Sequence, residues 1–311
     1  MKHIAFVTQS YKADFDECRL LCESIDRFAP DIDHFIFVND EDEAMFAPLC
    51  YGRHRVARKG TLLPRGFVRV PWKIAGHHFH ISPFTLPVRE WIVQQICKLA
   101  VFEHIGREYD AVFHIDSEIA FMRPFDIGRW VHPDGRCMMY RVDNTGEPSH
   151  DEYCDAAEKL LPIEKGAAET RRYNYMCQPT CFERENLTAM LTDISRRAPF
   201  RNWKLALANT YRFSEYYLYD IYTDRVLGGR NHFHIAERPF PVVDISLFRD
   251  SASLGQAIGR AMEQPEVEGV CLQKRDRKNL SDTYLQFSEI EATVKRLWNG
   301  PVSYTHPEPT R

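Results

Sequence analysis

The chain has 311 residues, 44% of them hydrophobic and 27% charged, which suits one large α/β domain or two intimate lobes. A formal net charge of −4 with no long basic run argues against a general nucleic-acid binder. Nine cysteines, an odd number at irregular spacings, argue against a disulfide framework and suggest reduced thiols in a cytosolic compartment.

Ile4 to Val7 form an apolar run that closes on Thr8, Gln9, Ser10 and Tyr11, a first strand. Phe15, Cys18, Cys22 and Ile25 then recur at helical spacing, with Asp14 placed as an N-cap. A second strand, HFIFVND, ends at Asn39 and Asp40, so the first forty residues read as a βαβ unit with parallel pairing. Residues 52–90, rich in Pro, Gly, Arg and His, predict a long irregular segment of the kind that often carries function. Within it Gly52 to Lys59 is locally basic, either a solvated turn or a contact for an anionic ligand or membrane surface.

Ile92, Ile96, Leu99 and Ile105 mark a helix that leads into the strand AVFHID. A further strand follows at RCMMYRV. Residues 150–161, 183–197 and 202–224 are mostly helical, with late strands at NHFHIAERPF and EGVCLQ. The expected fold class is α/β, a Rossmann-type, mostly parallel central sheet flanked by helices with a more helical C-terminal part. A single domain over 1–300 is expected, divided into halves 1–145 and 146–300, with a disordered tail at 301–311. No signal-length apolar stretch opens the chain and no run approaches ~18 apolar residues. The expectation is a soluble cytoplasmic protein, with a peripheral place on the inner face of a membrane left open.

The chemistry gathers at Asp116-Ser117-Glu118. On a strand, residues i and i+2 project to one side, and ligands of open α/β sheets sit beyond the carboxyl ends of the strands. Two neighbouring carboxylates there are either solvated acids starting a turn or ligands of a hard cation, Mg²⁺ or Mn²⁺.

The flanks of this triplet, an apolar strand before it and Ile119-Ala120-Phe121-Met122-Arg123-Pro124-Phe125 after it, resemble the acidic-triplet neighbourhood of glycosyltransferases with the GT-A fold. Thr8-Gln9-Ser10-Tyr11 and Gln94-Gln95-x-x-Lys98-Leu99 are consistent with that family. Phe213-Ser214-Glu215-Tyr216-Tyr217-Leu218-Tyr219 is similar to a signature of a bacterial group of such transferases. The resemblance covers residues 1–240 and departs at Glu118, where the family carries Asp; the extra methylene moves that carboxylate outward, leaving Asp116 the safer ligand.

The resemblance implies a nucleotide-sugar donor, with UDP the expected nucleotide, and a carbohydrate or glycolipid acceptor. It places the donor in 1–145 and the acceptor in 146–300, and implies Mn²⁺ or Mg²⁺ on Asp116 and Glu118, with His232 and His234 as candidates for a further ligand. Bacterial surface polysaccharide is the implied product, and no protein partner is expected. Thr8, Gln9, Tyr11, Gln95, Lys98, Asp116 and Ser117 are the candidate donor contacts. Each has a plainer reading, as a polar turn, a surface lysine or backbone-capping amides. Glu215, near the start of an aromatic helix, is either a catalytic base with Asp116 as its companion or a helix-capping acid. Asp220 and Asp224 are weaker candidates on the same helix. His77, His78 and His80 suggest a substrate-facing loop, and Cys177 and Cys181 two ordinary thiols. Arg171, Arg172, Tyr173, Asn174 and Tyr175 have the composition of a sugar-binding surface, and Asp143 and Asn144 could reach the same cleft. A sugar nucleotidyltransferase is the enzymatic alternative, disfavoured because a Gly-rich loop after the first strand is missing; a non-catalytic nucleotide-sugar-binding protein is the other.

Overall fold

The structure, a computed structural model, describes residues 2–144, 146, 148–229, 231–274 and 285–299. The expected disordered tail, 301–311, lies outside the described residues. In chain order, β1 (Ile4–Gln9), α1 (Phe15–Phe28), β2 (Asp33–Val38), α2 (Glu43–Phe46) and β3 (His54–Arg58) come first. They are followed by β4 (Val68–Arg69), β5 (Phe79–Ser82), β6 (Thr85–Arg89), α3 (Glu90–Ala100), β7 (Ala111–His114), β8 (Ile119–Phe121) and α4 (Ile127–Trp130). Next are β9 (Cys137–Tyr140), β10 (Val142–Asp143), α5 (Pro148–Leu160), β11 (Tyr173–Asn174), β12 (Thr180–Glu183), α6 (Arg184–Arg197), α7 (Trp203–Ala208) and α8 (Glu215–Arg225). The last are β13 (His232–Ile235), β14 (Val242–Asp244), α9 (Ser251–Ala261), β15 (Gly269–Gln273) and α10 (Phe287–Trp298).

The chain divides into two compact units that interleave in sequence. One comprises Met1–Phe15, Asp31–Ser117 and Asp126–Arg238; the other comprises Asp16–Pro30, Glu118–Phe125 and Pro239–Arg311. Residues of each expected half, 1–145 and 146–300, are therefore found in both units.

The larger unit is built on a five-stranded sheet of order β12-β7-β1-β2-β3. β1 pairs in parallel with β2 and β7, β2 pairs in parallel with β3, and only β12 runs antiparallel. This is the expected α/β class. Every residue of β1 and β7 is buried, as a parallel sheet covered on both faces requires. Val7, Phe37, Ile96, Leu99, Phe182 and Tyr217 belong to one apolar core in this unit. Because β1, β2, β3 and β7 run the same way, the ends at Gln9, Val38, Arg58 and His114 share one edge.

The segment 52–90 is only partly irregular. It holds β3 of the main sheet and a small antiparallel sheet of order β4-β5-β6. β4 is two residues long, and Pro71, Pro83 and Pro87 interrupt the alternation that a strand would otherwise show. Pro87 lies in β6, an edge strand, where a missing N–H costs no ladder bond. The mostly helical span 202–224 holds two helices, α7 and α8, parted at 209–214, and the Ser214 side chain caps α8 by accepting from Tyr217 N at 3.5 Å.

The smaller unit is a three-stranded sheet, β14 parallel to β15 and β15 antiparallel to β8. Leu20 of α1, Leu254 and Ile258 of α9, and Val294 and Trp298 of α10 share its apolar core. Gly269 is required there: a Cβ would sit 2.2 Å from the Ala120 carbonyl oxygen. Among the described residues, no helix is long and apolar enough to cross a membrane.

Candidate active site at the carboxyl edge of the sheet

Four segments of the larger unit bring polar side chains to the carboxyl edge. α3 contributes Trp91, Gln95 and Lys98, which share a face at i, i+4 and i+7. The chain leaving β7 contributes Asp116. The short segment before β12 contributes Gln178, and the first turn of α8 contributes Glu215 and Tyr216.

Lys98 is buried, and an ammonium with three protons needs three acceptors. It donates to Tyr216 Oη at 2.7 Å and pairs ionically with Glu215 Oε1 at 2.9 Å and Asp116 Oδ1 at 3.5 Å. Its Nζ also lies 4.7 Å from the centroid of the Tyr216 ring. Burial works against the charge on Lys98, but Asp116, Glu215 and Tyr216 outweigh it and hold the ammonium well above its ordinary value. Glu215 moves up as well, because burial raises its carboxyl more than Lys98 lowers it. In the amide orientation that satisfies both sides, Gln95 donates to Glu215 and accepts from Trp91 Nε1 at 3.2 Å. Gln178 Nε2 donates to Asp116 Oδ2 at 2.8 Å and also to Tyr216 Oη.

The cluster is asymmetric towards solvent. The Glu215 side chain is 3% exposed and that of Asp116 is 41% exposed. Glu215 is thus turned inward, where Lys98 and Gln95 hold it. Asp116 is the carboxylate offered outward. One ammonium stands against two carboxylates, leaving a surplus negative charge when Glu215 is ionised. Gln178 Oε1, both amide atoms of Gln9 and Ser10 Oγ are buried without a partner among the described residues. Buried polar atoms normally have a protein or water partner, so these are left to bond with solvent or a ligand.

The remaining expected residues fall as follows. Thr8 is turned into the sheet: its hydroxyl donates to Ile115 O at 2.7 Å and meets His34 Nε2 at 2.8 Å. Tyr11 is half-buried and Ser117 buried. β7 ends at His114 and β8 begins at Ile119, so Asp116 and Glu118 lie in the turn between two strands and the i, i+2 rule of a single strand does not govern them. Glu118 belongs to the smaller unit, where its carboxylate accepts from the Cys271 thiol at 3.8 Å and its carbonyl from Leu272 N at 2.8 Å.

His232 and His234 face later turns of α8. His232 Nε2 is 3.4 Å from Tyr219 Oη and its Nδ1 is 3.1 Å from Glu183 Oε1, close but not aligned as a hydrogen bond. Burial pushes the His232 pKa down to about 3, so this is a contact of a neutral ring and no ion pair. His234 Nε2 sits 3.3 Å from Asp224 Oδ1. Tyr219 and Asp224 lie ~6 and ~13 Å along the helix from Glu215 at 1.5 Å per residue. Among the described residues, no group of three His, Cys, Asp or Glu ligand atoms gathers at Asp116. The oxygens that fit a hard divalent cation there are the open Asp116 carboxylate and the unpartnered Gln178 Oε1.

Gln178 joins the site although nothing in Cys177-Gln178-Pro179-Thr180-Cys181 marks it out, because its partner Asp116 is 62 positions away in the chain.

Fold and site together define a mostly parallel α/β protein with a desolvated, charged cluster at the carboxyl edge of its sheet. The chain belongs to DUF6492, a family of unknown function, whose profile matches residues 4–267. No curated protein matches the sequence. In chain path it is similar to the galactosyltransferase LgtC in complex with donor and acceptor sugar analogues, at 14% identity and a TM-score of 0.43, covering 98% of each chain. It is also similar to mouse xyloside xylosyltransferase 1, at 10% identity and a TM-score of 0.42, covering 89% of this chain and 99% of that one. A third similar structure is the bifunctional glycosyltransferase WbbM, at 9% identity and a TM-score of 0.46, covering 96% and 51%.

Proposed function

We propose that the protein is a GT-A-type glycosyltransferase, moving a sugar from a nucleotide-diphosphate sugar, with UDP as the nucleotide, to an acceptor hydroxyl. The observation that carries this reading is the buried Lys98 ammonium set beside the open Asp116 carboxylate at the sheet's ligand edge. A fixed cation at that edge, held in place by Glu215 and Tyr216, offsets the charge a diphosphate develops as it leaves, and needs no reorganisation to do so. Gln9 and Ser10, with unpartnered buried polar atoms at the end of β1, suit the polar parts of the nucleotide. Asp116, with Gln178 Oε1, would hold Mn²⁺ or Mg²⁺, which supplies further charge neutralisation at the diphosphate when bound. The proposed setting is assembly of bacterial surface polysaccharide or glycoconjugate in the cytoplasm, at the inner face of the membrane.

A screen of nucleotide sugars for metal-stimulated hydrolysis tests this, with wild type beside Asp116→Ala. The expected result is turnover of one donor class, lost in the variant. Donor-dependent turnover that survives the substitution removes Asp116 from the mechanism, and no turnover or binding of any nucleotide sugar sinks the transferase reading.

A further inference from the structure

A polar cavity of about 300 Å³ opens at the other end of α8, at the lower bound of small-molecule sites. Its walls include Arg141, Arg172, Tyr173, Asp224, Arg225 and His234. The charges in it are unequally matched. Asp224 accepts from Arg141 Nη1 at 3.2 Å and from Tyr175 Oη at 2.9 Å, with His234 Nε2 at 3.3 Å. Burial raises the Asp224 carboxyl, but His234, Tyr175 and Arg141 outweigh it and keep the group below the usual carboxylate range. Arg141 is therefore neutralised by a stable carboxylate.

Arg172 and Arg225 are different. Both are exposed, and neither forms an ion pair among the described residues. Glu169 is the remaining acid in the lining, so three guanidiniums face two carboxylates and the cavity keeps a positive surplus. The guanidinium carbons of Arg141 and Arg172 lie 4.5 and 5.0 Å from the centroid of the Tyr173 ring. Stacking of this kind fixes the planar fork of an arginine before a ligand arrives, which lowers the ordering cost of binding. Tyr173 is itself held by the β10–β11 pair, in register with Asp143.

We propose that this cavity binds the oxyanion of an acidic sugar, a carboxylate or a phosphate, through Arg172 and Arg225. Planar or tetrahedral oxyanions are what paired arginines recognise, with charge-assisted hydrogen bonds about twice as strong as neutral ones. That the anionic sugar is the acceptor rests on the transferase reading; that the cavity binds an oxyanion does not.

The test is calorimetric titration of the full chain, without donor, using inorganic phosphate, glucose 6-phosphate, glucuronate and uncharged glucose as probes. The expected result is binding of phosphate-bearing or carboxylate-bearing probes, weakened about tenfold or more in Arg172→Ala/Arg225→Ala, with glucose showing none. Preference between glucose 6-phosphate and glucuronate identifies which oxyanion the site takes. Both substituted side chains are exposed, and an unchanged melting curve shows that the variant folds. Absence of binding by all three anionic probes, or equal binding in the double variant, overturns the proposal. Neither result bears on a parallel titration with UDP, so the two readings fail separately.

Discussion

The two ends of α8 carry opposite solutions to placing charge. At the N-terminal end, Glu215 and Tyr216 meet Lys98 in a desolvated cluster whose members satisfy one another. At the C-terminal end, Asp224 is matched by Arg141 while Arg225 lines an open cavity with no acidic partner among the described residues. Glu215 at the start and Arg225 at the end agree with the helix dipole, whereas Asp224 in the last turn opposes it and is held by Arg141. The first end is pre-organised, with Asp116 as its outlet to solvent. The second end leaves Arg172 and Arg225 facing an open cavity without an ion pair among the described residues.

The largest effect is expected from breaking the first end. Lys98→Met leaves Glu215 buried without its cation and should cost about 3–5 kcal/mol in denaturant unfolding. Adding Glu215→Gln should recover part of that loss, because the double variant no longer buries an unpaired charge. Full additivity of the two substitutions would show that they are not coupled.

The pH dependence has two signs. The folded pKa of Lys98 lies above 10.5, so its contribution is complete below that value and is lost as the pH climbs through the higher folded value. Glu215 has a folded pKa above 4.5, so ionising it costs stability as the pH rises from there to its folded value. Unfolding midpoints should therefore show an alkaline decline that Lys98→Met flattens and an acidic-side penalty that Glu215→Gln removes. A decline of equal depth in Lys98→Met would assign the alkaline limb to other groups.

Asp116→Asn should barely move stability, by less than about 1 kcal/mol for a group this open, while abolishing metal-dependent nucleotide binding. The smallest effect belongs to the far end of the helix. Arg172→Ala and Arg225→Ala should each leave unfolding within about 0.5 kcal/mol of wild type. A larger loss by thermal melt would mean that these arginines hold the fold rather than face a ligand.

Much of this could be read from residues alone, and the failures have physical causes. β1, β2 and β7 announce themselves as apolar runs because a parallel strand is buried on both faces. Lys98 was legible as a cation on an otherwise apolar helix, but its enclosure by Tyr216 and Glu215 is a long-range contact that periodicity does not encode. The short strands β4, β5 and β6 were hidden by prolines, and β8 by its length of three residues. His232 and His234 do face one helix, as alternation on a strand allows, yet their partners are Tyr219 and Asp224. Gln178 was invisible because its role depends on Asp116, 62 positions away.

The Lys98–Asp116 edge is proposed to receive a nucleoside diphosphate. Calorimetric titration with UDP, with and without Mn²⁺, measures this directly in wild type and Asp116→Asn. The predicted result is binding in wild type, strengthened by Mn²⁺, with the metal dependence gone in the variant. No binding of UDP or of any other nucleoside diphosphate, in either condition, would contradict it.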